Sequence, residues 1–126
     1  MTEKKKKILV VDDSQDMRAI LSMRLRINGY EVIMAQDGQE GLDRARADAP
    51  DLIILDLMLP KIDGYEVCRI LKFDDKYKNI PVIILSALDQ QEDREKAVGS
   101  GSDAYFIKPF DLELLLNKIR SLILEH

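Results

Sequence analysis

"DLIILDLMLP", residues 51–60, is an apolar run with a carboxylate in its middle. Leu52, Ile53, Ile54 and Leu55 read as a strand buried on both faces, and Leu57, Met58 and Leu59 continue the apolar run. A strand with two buried faces belongs inside a parallel sheet covered by helices on each side. Asp56 stands at its end, where a buried charge is costly unless something pairs with it. The fold and the chemistry of the chain both follow from what surrounds these ten residues.

Outward from this run, strand-like stretches alternate with amphipathic helical ones five times. The strand candidates are "KILVVDD" (7–13), "YEVIMA" (30–35), "DLIILD" (51–56), "PVIILSA" (81–87) and "AYFIKP" (104–109). Asp37–Glu40, Asp63–Glu66 and Asp89–Glu92 each place an acidic cap three residues before a glutamate, the spacing of a capping box. Asn28–Gly29 stops the first helix, since glycine enters the left-handed region without strain. The last helix, from Asp111, carries Leu112, Leu115, Leu116, Ile119, Leu122 and Ile123 at helical spacing. The fourth, "QQEDREKAVGSG" (90–101), offers only Ala97 and Val98 as apolar anchors. Alternating strand and helix predicts βαβ units, hence an α/β fold with one doubly wound, five-stranded parallel sheet.

Composition sets the outer limits. A chain of 126 residues, 46% hydrophobic and 33% charged, has the size of one domain around one core. No apolar run approaches the length of a membrane span, and the apolar stretch in "MTEKKKKILVV" is too short for a signal peptide. Residues 1–6 read as a solvated basic tail and about 7–124 as the domain. "LEH" at the end is similar to the remnant of a C-terminal tag, covering 125–126. Cys68 is the single cysteine, so no intrachain disulfide forms and a cytoplasmic location is expected. A net charge of -4 argues against a nucleic-acid surface.

Ligands of open α/β sheets sit at the carboxyl ends of the strands. There the sequence places Asp12 and Asp13 (first strand), Asp56 (third), Ser86 (fourth) and Lys108 (fifth). Each has an ordinary alternative: Asp13 as a helix cap, although Ser14 serves equally, Ser86 as a turn residue, Lys108 as a surface lysine. Their shared position at one edge favours a site. Clustered carboxylates repel unless a cation joins them, and carboxylate oxygens suit Mg²⁺. With a lysine and a hydroxyl alongside, such a carboxylate is suited to accept a phosphoryl group.

"VVDD" (10–13), "DLMLPKIDG" (56–64), "LSA" (85–87) and "YFIKPF" (105–110) resemble the signature blocks of the response-regulator receiver domain of two-component signalling. The resemblance runs from about Lys7 to Leu124 and implies a flavodoxin-like sheet of order 2-1-3-4-5. It implies Asp56 as phosphoacceptor, and Mg²⁺ held by Asp12, Asp13, Asp56 and the backbone carbonyl of Met58. Asp13 would be the direct acidic ligand and Asp12 would act largely through water. Ser86 and Lys108 would bind the phosphoryl group, Tyr105 would turn inward after phosphorylation, and Lys108–Pro109 would be cis.

The implied donor is a sensor histidine kinase or a histidine phosphotransfer protein. The implied output is a downstream effector or dimer partner on helix 4, strand 5 and helix 5, with no direct nucleic-acid or membrane binding. On this reading the protein is a regulatory phosphoacceptor that catalyses its own phosphorylation and dephosphorylation, rather than an enzyme acting on others. The positions two beyond Asp56 and Ser86, Met58 and Leu88, offer no strong hydrogen-bonding group, and a long-lived phosphoryl form is expected.

Three alternatives fit less well. A phosphohydrolase with an aspartate nucleophile would need an acid where Met58 stands. A flavin carrier would need a hydroxyl-rich phosphate loop in place of "DDSQD" (12–16). A degenerate receiver serving as a phosphorylation-independent scaffold would not need every site position filled. Among the remaining residues, Cys68 is expected to be a packing residue, Tyr30, Phe73 and Phe110 to be core, and Leu114 to be exposed on the element receivers often use for partners.

Overall fold

In chain order the protein forms β1 (Lys7–Val11), α1 (Gln15–Ile27), β2 (Glu31–Ala35), α2 (Gly38–Asp48), β3 (Leu52–Asp56), α3 (Gly64–Lys72), β4 (Val82–Ser86), α4 (Gln91–Gly99), β5 (Ala104–Ile107) and α5 (Leu112–Glu125). The structure is a computed structural model that describes residues 4–87 and 91–125. All strand pairs are parallel, in the order β2-β1-β3-β4-β5.

Side chains alternate across this sheet and divide the interior in two. Leu9, Val11, Ile53, Leu55 and Ile84 face Leu42, Val67 and Leu71 of α2 and α3. Ile8, Val10, Ile54, Ile83 and Leu85 face Leu21 and Leu25 of α1 and Leu115, Ile119 and Leu122 of α5. Full burial on both faces holds for β3 and β4. The edge strands depart from the expectation: Glu31 and Met34 of β2 are exposed, and no residue of β5 is fully buried. Each has a sheet partner on one side only, so solvent reaches it from the other.

Local signals in the sequence act where they stand. Ser14, not Asp13, caps α1 by accepting from the Met17 N–H at 3.2 Å. Asp37 and Asp63 accept from the N–H groups of Glu40 (2.8 Å) and Glu66 (3.0 Å). The Asp89 cap lies outside the described residues. Gly29 has φ +92° just beyond α1, a conformation that side chains resist. Asp111 caps α5 through the N–H groups of Glu113 and Leu114. Lys108–Pro109 is cis.

Two residues differ from their reading, and a third, Met58, is exposed within an apolar run. Phe73, expected in the core, is 77% exposed because it caps the end of α3, where the chain turns its side chain off the packed face. Val98 is 75% exposed, which leaves Ala97 as the one buried residue of α4. Met58 is 63% exposed while Leu57 and Leu59 on either side are buried, since the apolar run leaves the strand after Asp56. Tyr30 and Phe110 pack against the core, and Cys68 is buried as expected. No helix among the described residues is long and apolar enough to cross a membrane.

Candidate functional site

The register lines up the carboxyl ends of the strands: Val11 opposes Leu55, Asp56 opposes Leu85 and Ser86 opposes Ile107. The strands stop earlier than the sequence runs, so Asp12, Asp13 and Lys108 stand on the loops just beyond them. Asp12 is pinned from several directions. Its N–H donates to the Ala35 carbonyl, its Oδ1 accepts from the Ser14 N–H at 2.9 Å, and its carbonyl accepts from Arg18 at 2.7 Å.

Lys108 is placed by a 2.7 Å bond from its N–H to the Ser86 carbonyl, which ties the end of β5 to that of β4. Its Nζ donates to Asp12 Oδ2 at 3.0 Å and lies 3.6 Å from Asp56 Oδ2. Asp56 Oδ1 accepts a long bond, 3.4 Å, from the Met58 N–H. Asp12, Asp13 and Asp56 each present a carboxylate oxygen within 4.8 Å of the others, with Asp13 exposed to solvent and the other two buried. The end of β3 is approached closely by α3. A side chain on Gly64 would run into the Asp56 carbonyl, and the Gly64 N–H donates to the Leu57 carbonyl at 2.9 Å.

The electrostatics follow from this crowding. Burial pushes the Asp56 carboxyl above its usual range; Lys108 opposes the rise, and the charges of Asp12 and Asp13 add to it. One ammonium faces three carboxylates, so the cluster retains a demand for a further cation. Three oxygen donors at this spacing, one open to solvent, are the donor chemistry of a hard divalent ion such as Mg²⁺.

The structure thus gathers Asp12, Asp13, Asp56 and Lys108 by direct distances. Ser86, fully buried, joins them through the bond of its carbonyl to Lys108, and Met58 through its backbone N–H. The Met58 side chain points into solvent, and Leu88 lies outside the described residues. Tyr105 is half-buried on β5 against the inner cluster. Two neighbours escaped sequence reasoning. Arg18 supports Asp12, and Tyr65, next to Gly64, lines a groove with Asp13, Met58 and Asp63. Only the position of Tyr65 directly after the glycine of "KIDGY" (61–65) could have signalled it.

Residues 8–120 match the response regulator receiver domain family. The chain is 44% identical to the DNA-binding dual master transcriptional regulator RpaA of a Synechocystis strain, covering 93% of this chain and 48% of that protein. It is 47% identical to the probable transcriptional regulator ycf27 of Cyanophora paradoxa, covering 94% and 48%. The chain therefore spans about half the length of the curated relatives it matches.

Among solved structures, a Francisella response regulator receiver domain superposes with a TM-score of 0.89 at 35% identity, covering 96% of this chain and 98% of that one. The chemotaxis protein CheY4 of Vibrio cholerae superposes with a TM-score of 0.87 at 32% identity, covering 94% and 99%. The chain belongs to the response regulator receiver domain family, with the flavodoxin-like sheet order of its members.

Proposed function

We propose that this receiver domain is switched by transfer of a phosphoryl group to Asp56 from a phosphohistidine on a sensor kinase or phosphotransfer protein. The observation that carries the proposal is the buried Asp56 carboxylate held between two further acids and the Lys108 ammonium. An Asp56 oxygen attacks phosphorus, the bond from phosphorus to the donor imidazole nitrogen breaks, and the bonding electron pair leaves with the imidazole. Lys108 faces the oxygens of the transferred group, and the Ser86 hydroxyl donates to one of them. Asp12, Asp13, Asp56 and the Met58 carbonyl would hold Mg²⁺, which when bound neutralises charge on the transferring oxygens.

Once the phosphoryl group is in place, Ser86 is drawn towards it and room opens for the Tyr105 ring, which reshapes the surface of α4, β5 and α5 for a downstream effector or a second receiver. The relatives named as transcriptional regulators favour an output in gene control, exerted outside this domain. A phosphorylation-independent scaffold has no observation in its favour, because every acid, the hydroxyl and the lysine are present.

Incubation with acetyl phosphate and Mg²⁺, followed by mass spectrometry, should add one phosphoryl group to the wild type. Chelation of the metal, or Asp56→Asn, should abolish it. Phosphorylation of the Asp56→Asn variant at the wild-type rate would overturn the assignment.

A further inference from the structure

α4 is tied to α3 by polar contacts as well as by apolar burial. Its one buried residue is Ala97, too small to anchor a helix by apolar contact alone. The links to α3 are specific. The Tyr65 hydroxyl donates to the Asp93 carbonyl at 3.0 Å, the Lys96 ammonium lies 5.7 Å from the centre of the Tyr65 ring, and, just past the end of α4, the Cys68 thiol donates to the Ser100 carbonyl at 3.4 Å. Two of these three meet at Tyr65.

Tyr65 is also the residue of α3 next to the candidate site. It follows Gly64, which abuts the Asp56 carbonyl and bonds to Leu57, and it lines the groove that holds Asp13 and Met58. Burial, with the charges of Asp93, Tyr105 and Asp63 in support, pushes its phenol up to about 12. The hydroxyl therefore stays protonated, and a donor, at neutral pH.

We propose that Tyr65 is a positioning residue that latches α4 onto α3 in the unmodified protein and thereby restrains phosphorylation of Asp56. This rests on the switch reading above. If phosphorylation moves α4, the move must break the hydroxyl bond to Asp93 and draw Lys96 off the ring. Whatever stabilises the latched arrangement must by linkage disfavour the phosphorylated one.

The test is Tyr65→Phe, which keeps the ring and its packing and removes the hydroxyl. In the unmodified protein, amides of α4 should exchange roughly fivefold faster, as loss of one ordinary hydrogen bond implies, while those of β1 and β3 stay unchanged. Binding of beryllofluoride with Mg²⁺, a mimic of the phosphorylated state, should tighten by up to a similar factor, and phosphorylation by acetyl phosphate should accelerate. Lys96→Met should act in the same direction, by about twofold. Unchanged α4 exchange overturns the latch. Faster exchange with an unchanged phosphorylation rate overturns it too, because Tyr65 would then be a structural contact only. A wild type inert to acetyl phosphate refutes the switch reading itself. The exchange arm, which needs no phosphoryl donor, separates that failure from failure of the Tyr65–Asp93 contact.

Discussion

α4 and α5 are joined through the same short strand, β5, and are held in opposite ways. α5 inserts Leu115, Leu116, Ile119 and Leu122 into the core, each 5% exposed or less. α4 inserts Ala97 and hangs from α3 by the Tyr65 and Cys68 contacts. Burying a leucine or isoleucine side chain is worth about 1.5–3 kcal/mol, whereas a hydrogen bond nets about 1 kcal/mol. α5 is therefore part of the cooperative core, and α4 belongs to the low-stability end of the molecule from which moving elements are drawn. A domain that must keep its fold while changing one surface has reason to differ in this way.

The largest expected effect lies on the anchored side. Ile119→Ala leaves a cavity in the cluster that α5 shares with the sheet and α1, and should lower stability to urea by about 3 kcal/mol. A loss below about 1 kcal/mol would show that α5 is not the anchor its burial implies.

A smaller effect is expected at the site between the two regions. Asp56 has a folded-state pKa above its unfolded value. It therefore favours the fold only while protonated, and that contribution disappears as pH rises from the ordinary carboxylate value of 3.8 through the folded pKa. Above its folded pKa the charged Asp56 opposes folding, so Asp56→Asn should be more stable than wild type at neutral pH, with the advantage shrinking away as pH falls below the ordinary carboxylate range. Urea titrations at neutral and at acid pH check this. An equal advantage at both would remove the charge cluster as its cause.

The smallest effect should come from α4. Val98→Ala removes two methyl groups from a side chain 75% exposed and should change stability by less than about 0.5 kcal/mol. A cost comparable with that of Ile119→Ala would erase the contrast between the helices.

Much of the architecture was legible because its signals are local. The apolar runs marked every strand, Asp37 and Asp63 announced the starts of α2 and α3, and the stripe from Leu112 to Ile123 marked α5. Asp12, Asp13, Asp56 and Lys108 were recognisable as a group because each stands at or just beyond the end of a strand of a parallel sheet, which brings strand ends to one edge whatever lies between them. Ser14 rather than Asp13 as the cap of α1 was left open, since both have the chemistry and one bond decides between them.

Phe73 and Val98 depart from their reading for a common reason. An apolar residue in the last turn or at the cap of a helix has few periodic neighbours to fix which way its side chain faces, and both emerge into solvent. The sequence by itself determined the alternation of strand and helix and the caps, because these depend on residues a few positions apart, and the chemical identity of the acidic edge, because a parallel sheet gathers its strand ends. Only the tertiary structure decided that Lys108 bonds Asp12 more closely than Asp56, that β2 and β5 are half-exposed edges, and that Tyr65 reaches across 28 residues to Asp93. Those outcomes depend on which elements become neighbours and on distances of a few tenths of an ångström between them. Periodicity along a chain carries no record of either.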